Sequence, residues 1–169
     1  MKTKKYAWQQ VVLHWLSAVV IIWATITGFY AAMFETTPEI KEWIGFFNVS
    51  LTTVFIPFFI LRVYYLLNLG KPHEGKKDFA SRAADWVHML LYINIAVVLI
   101  TGVPMMDRDI NVFNLFSIPH LIESELITDL FFVKHIISCT TLAGLVLLHI
   151  LAVVKHELFG NRVLRRMSW

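Results

Sequence analysis

The chain has 169 residues, of which 57% are apolar, 14% aromatic and only 16% charged, against about 45–50% apolar and about 25% charged in soluble domains. A net charge of +3, from 15 Lys+Arg against 12 Asp+Glu scattered along the chain, provides no concentrated basic patch for nucleic acid. One cysteine, Cys139, excludes an intrachain disulfide framework and a thiolate zinc site, and what remains is a small integral membrane protein.

The first apolar run extends from about Val11 to Phe34, behind Met-Lys-Thr-Lys-Lys. At about 24 residues it is too long for the apolar core of a secretory signal and reads as an uncleaved span. The second run covers Phe46 to Leu69 and the third Trp86 to Met106. The longest connection follows, Asp107 to Asp129, with Pro104 and Pro119 at or near its ends. Its apolar Phe113, Leu115 and Phe116 suit a lid or interfacial helix, or equally a packed loop. The fourth run covers Leu130 to Val154. Each run is roughly 20 residues or more, enough to cross a hydrocarbon core of about 30 Å as a helix. Alternating ten-residue strands are missing, which excludes a β-barrel. The expectation is all-α: one membrane domain, a four-helix antiparallel transmembrane bundle.

Charge sets the orientation. The N-terminus (Lys2, Lys4, Lys5), the second connection with its flanks (Arg62, Lys71, Lys76, Lys77, Arg82) and the tail (Lys155, Arg162, Arg165, Arg166) hold twelve of the fifteen basic residues. The other side has Lys41, Arg108 and Lys134 against eight acids, Glu35, Glu39, Glu42, Asp107, Asp109, Glu123, Glu125 and Asp129. Both termini are therefore expected in the cytoplasm.

Of seven histidines, His73 and His120 fall in connections, whereas His14, His88, His135, His149 and His156 lie in spans or at their edges. Ionisable groups at membrane depth are costly and mark functional sites, although one histidine can simply bond a neighbouring carbonyl. These form a matched set. His135 and His149, 14 residues apart on the fourth helix, differ by about 40° around the axis and about 21 Å along it. They share one face, one near each membrane surface. His14 on the first helix stands level with His149. Between His135 and His149 the shared face includes the small Ser138 and Cys139, and Gly28, 14 residues beyond His14, leaves room at the outer level. Two imidazoles from facing helices at one depth suit a haem iron, whose apolar macrocycle fits a bundle core. Zinc lacks third and fourth ligands nearby, and a proton relay would use intramembrane Asp or Glu, which the spans lack.

Leu13-His14-Trp15, Leu148-His149, the 14-residue pair His135/His149 and the tail Val163-Leu164-Arg165-Arg166-Met167 resemble the bacterial cytochrome b-561 family. The wider superfamily includes cytochrome b subunits of membrane-bound hydrogenases and formate dehydrogenases. The resemblance covers nearly the whole chain. It implies two b-type haems: an inner one on His14 and His149, and an outer one on His135 and a histidine of the second helix. That second-helix position is Asn48 here, and Asn is not a usual haem ligand. The outer haem is then absent, held by His135 alone, or completed by another residue such as His120. His88 matches a histidine common in the family and reads as a contact to a haem propionate or quinone headgroup, or as an interfacial cap. The same readings apply to His156. Arg62 pairs with a propionate or extends to the headgroups. Trp8, Trp15, Trp43, Trp86 and Trp169 suit interfacial anchoring.

The family implies electron transfer through membrane-embedded haem, with ubiquinone as partner and, in one branch, superoxide oxidised at the outer face. The acidic outer loops would repel that anion, though Lys134 and Arg108 offset this locally. A second expectation is a haem-bearing membrane anchor passing electrons from a periplasmic dehydrogenase or cytochrome c, in the bacterial inner membrane.

Overall fold

The computed structural model describes residues 5–71, 79–159 and 163–167. Four helices, α1 (Trp8–Met33), α2 (Pro38–Leu69), α3 (Phe79–Gly102) and α4 (Glu125–Leu158), are joined by a short antiparallel hairpin, β1 (Ile110–Val112) and β2 (Phe116–Ile118), between α3 and α4. All four helices are long and apolar enough to cross a membrane. Helices α1 and α2 pack as one pair and α3 and α4 as another, joined along α2 and α3.

A 3-10 helix, Val163–Met167, folds the tail back onto the start of α1. The backbone N–H of Tyr6 donates to the Arg166 carbonyl at 3.2 Å, and the Trp15 indole donates to the Met167 carbonyl at 3.0 Å. The two chain ends therefore share one end of the bundle, the terminal end; the other is the hairpin end. His73, Trp169 and the basic residues Lys2, Lys4, Lys76, Lys77 and Arg162 lie outside the described residues.

Helices α2, α3 and α4 begin well before their apolar runs. Helix α2 starts behind Thr37, with Pro38 in its first turn and Glu39 next; proline is preorganised there, and an acid complements the helix dipole. Helix α4 starts behind Ser124 with Glu125 leading. Polar first turns are good helix starts, so apolar runs alone begin too late. Helix α3 stops at Gly102, because the residue before Pro104 is driven out of helical geometry. Gly70, at φ 65°, closes α2 in a backbone conformation that a side chain would strain.

The middle of the bundle is filled by Val20 from α1, Phe55 and Phe59 from α2, Ile95 from α3 and Leu142 from α4. Large apolar side chains such as Ile26, Ile60, Leu67, Ile100 and Leu147 point outward, as lipid-facing surfaces do.

The connection between α3 and α4 holds the hairpin in place of a lid helix. Val112 and Ile110 are buried against α2. The fully buried Ser50 hydroxyl donates to the Asn111 carbonyl and accepts from the Phe113 N–H, both at 3.1 Å. Phe113 and Asn114 turn the chain at φ 49° and 58°. For Phe this backbone costs about 1–3 kcal/mol. Edge contacts of its ring with Phe46 and Phe47, centres 6.3 and 5.6 Å away, hold it there.

Candidate functional site

The terminal end gathers polar side chains from all four helices. His14 follows the buried stripe of Leu13, Ser17 and Val20 on α1, which turns its ring inward. Gln10, one turn earlier, donates to the carbonyls of Tyr65 and Gly70 at 3.3 and 3.0 Å, tying the start of α1 to the end of α2. His88 and Tyr92 share a face of α3 four residues apart, and His149 projects from α4. The His14 and His149 ring centres lie 6.5 Å apart, with planes at 70°. His88 lies closer to His149, at 5.1 Å. Arg62 of α2 reaches in to place Nη2 at 3.1 Å from His14 Nδ1, and its Nε–H donates to the Tyr92 hydroxyl at 3.0 Å. A cavity of about 30 Å³ borders Gln10, His14, Arg62, Tyr92 and Met167, large enough to admit water.

His135 stands at the hairpin end. The Thr101 hydroxyl donates to the Val97 carbonyl at 2.7 Å, so its oxygen accepts from His135 Nδ1 at 3.1 Å. This leaves the lone pair on Nε2, 3.4 Å from Cys139 Sγ. Gly102 makes the room: a β-carbon there would come within 3.2 Å of the imidazole Cε1. Asn48, by contrast, faces α1. Its Oδ1 accepts from the Thr27 hydroxyl at 3.0 Å, and a β-carbon on Gly28 would touch its Nδ2 at 4.0 Å. His120 is held in the connection by Asp109, whose Oδ1 accepts from the His120 N–H at 3.0 Å and lies 3.1 Å from its Nδ1. Those bonds hold the Asp109 carboxyl below its usual range. Hence His14, His88 and His149 come together, while His135, Asn48 and His120 each face a different neighbour. His156 lies half-buried near the end of α4. Trp8, Trp15, Trp43 and Trp86 are all exposed. Among the described residues, no group of three or more His, Cys, Asp and Glu could hold a bare metal ion.

The family pattern of the prokaryotic cytochrome b561 proteins matches residues 5–169. The chain belongs to that family. No curated protein sequence matches it. As a prokaryotic cytochrome b561 with four membrane-crossing helices, it is a multi-pass bacterial membrane protein of electron transport that uses haem b. The terminal end suits such a group. The 6.5 Å between the ring centres of His14 and His149 would leave room for an iron between two opposed imidazoles, which these residues would supply. The 5.1 Å between His88 and His149 is too short for that opposed arrangement. The hairpin end does not offer a bis-imidazole site among the described residues, since His135 is met by Thr101 and Cys139.

For this cytochrome b561, sequence reasoning left Tyr92, Gln10, Thr101 and Gly102 unnamed. The four-residue step from His88 to Tyr92 was a readable signal, because it places both on one helix face. The other three contact their partners across helices that are distant in sequence, and no spacing reveals them.

Proposed function

We propose that the chain holds one b-type haem between His14 and His149 at the cytoplasmic end of the bundle and exchanges its electrons with ubiquinone in the bacterial inner membrane. The 6.5 Å separation of the two rings, opposed across α1 and α4, carries this reading. The bound haem supplies a one-electron ferric/ferrous couple. The chain supplies two imidazoles from different helices, a flanking Arg62 and Tyr92, and His88 beside His149, which would contact a propionate or quinone headgroup. The cytoplasmic placement rests on the charge asymmetry of the sequence, with twelve of fifteen basic residues in the N-terminus, the second connection with its flanks and the tail.

His135 with Asn48 in the place of a partner histidine supports one firm haem over two. A haem-to-protein ratio from a pyridine haemochrome assay tests both parts. The expected value is close to one. A ratio of zero contradicts the haem reading, and two low-spin haems per chain contradict the count.

A second reading makes the chain the membrane anchor of a periplasmic donor. The eight acids at the hairpin end are all exposed, a surface that attracts a basic protein such as a cytochrome c and repels superoxide. Purified protein with a soluble quinone separates the two readings. Superoxide-dependent quinone reduction, each superoxide losing one electron to become O₂, favours the enzyme. Salt-sensitive electron exchange with a basic cytochrome c, without response to superoxide, favours the anchor.

A further inference from the structure

Arg62 lies seven residues before α2 ends at Leu69, about 10 Å or two turns inside the helix. An arginine at such depth ordinarily extends its head toward water. Arg62 instead turns inward. Its Nε–H is tied to the Tyr92 hydroxyl, its Nη2 lies against His14 Nδ1, and its guanidinium carbon sits 4.9 Å from the centre of the Tyr92 ring. Helices α1 and α3 thus fix the charge from two sides. Among the described residues no acid forms an ion pair with it, and Asp85 on α3 is taken by Lys71.

We propose that Arg62 is a positioning residue that raises the reduction potential of the haem iron on His14, with Tyr92 holding the guanidinium in place. This rests on the assignment of His14 and His149 as axial ligands. Two effects act with one sign. Reduction adds an electron to the iron, and a fixed positive charge nearby favours the reduced form. The second effect passes through the ligand. An axial histidine usually gives its other N–H to a carbonyl or carboxylate, which makes the ring a stronger donor. At Nδ1 His14 instead faces a guanidinium, which has only donors and cannot accept the ring's other N–H, so the ring lacks the acceptor that would make it a stronger donor. His135 shows the ordinary arrangement, its Nδ1 facing a hydroxyl oxygen.

The test is a potentiometric titration of the α-band in purified protein, normalised to haem content, for wild type, Arg62→Gln, Arg62→Lys and Tyr92→Phe. Arg62→Gln should lower the midpoint potential, and Arg62→Lys, which keeps the charge, should restore most of the difference. Tyr92→Phe should lower it part-way, because the guanidinium loses its anchor while the ligands stay. An Arg62→Gln protein with wild-type haem content, an intact low-spin spectrum and an unchanged or raised midpoint overturns the proposal. If Arg62→Gln takes up no haem, Tyr92→Phe decides: a lowered midpoint supports the proposal and an unchanged one overturns it. Failure of the ligand assignment is distinguishable, since it shows as a low-spin spectrum that survives loss of His14 or His149.

Discussion

The imidazoles of His14 and His149 approach from opposite ends of the chain to 6.5 Å, whereas His88, on the neighbouring helix, comes within 5.1 Å of the same His149 ring. The longer separation leaves room for a metal between two rings, and the shorter one does not. The expected outcome is that His88→Ala keeps a low-spin, two-imidazole spectrum. Absorption of the reduced purified variant checks this. Loss of the α-band in His88→Ala, with retention in His14→Ala, would exchange their roles.

Orientation makes an independent prediction. A cysteine placed in the 71–78 connection should be protected from membrane-impermeant thiol reagents in intact cells, and one placed near Glu123 should react. Native Cys139, half-buried within α4, should stay silent. Labelling of the first site alone would invert the bundle and put the His14/His149 pair at the periplasmic side.

Four membrane-crossing helices were legible because a bilayer leaves the backbone no other economical way to satisfy its hydrogen bonds. The hairpin was not. Its strands are three residues each, too short for a period-two pattern, and its turn places Phe113 in a conformation that propensity argues against. Only the tertiary contacts to Ser50, Phe46 and Phe47 make that turn stable. In the site, helix arithmetic put His14 level with His149 because rise and twist are regular along α1 and α4. The direction of Arg62, inward to Tyr92 or outward to headgroups, depends on packing between helices and is not written in spacing. The same holds for Asn48, whose partner Thr27 lies on another helix.

Position 48 gives the third prediction. With Asn48 turned to Thr27, His135 turned to Thr101 and His120 held by Asp109, the described residues place no second imidazole opposite His135. Asn48→His should therefore raise haem content toward two per chain, or convert a high-spin component to low-spin. Even a β-carbon at position 28 would come no nearer than 4.0 Å to the Asn48 side chain, so the glycine leaves the larger imidazole room. Two low-spin haems in the wild type, unchanged by Asn48→His, would show that another ligand completes that end.

Ser50 offers a test of the fold itself. Its hydroxyl serves both the Asn111 carbonyl and the Phe113 N–H while fully buried. Ser50→Ala strands two backbone groups and should destabilise the hairpin end by about 1–3 kcal/mol. Thermal unfolding in detergent should show a lowered midpoint, and hydrogen exchange should rise at residues 110–118 first. Unchanged exchange there would mean that the aromatic contacts alone hold the turn.

The pairing of His14 with His149 is tested most directly by the reduced-minus-oxidised spectrum of purified His14→Ala and His149→Ala, read beside their haem content. Each substitution should abolish the low-spin α-band, because each removes one of two opposed ligands and leaves the other without a partner. An intact α-band in both variants, at wild-type haem content, would contradict the assignment of this pair.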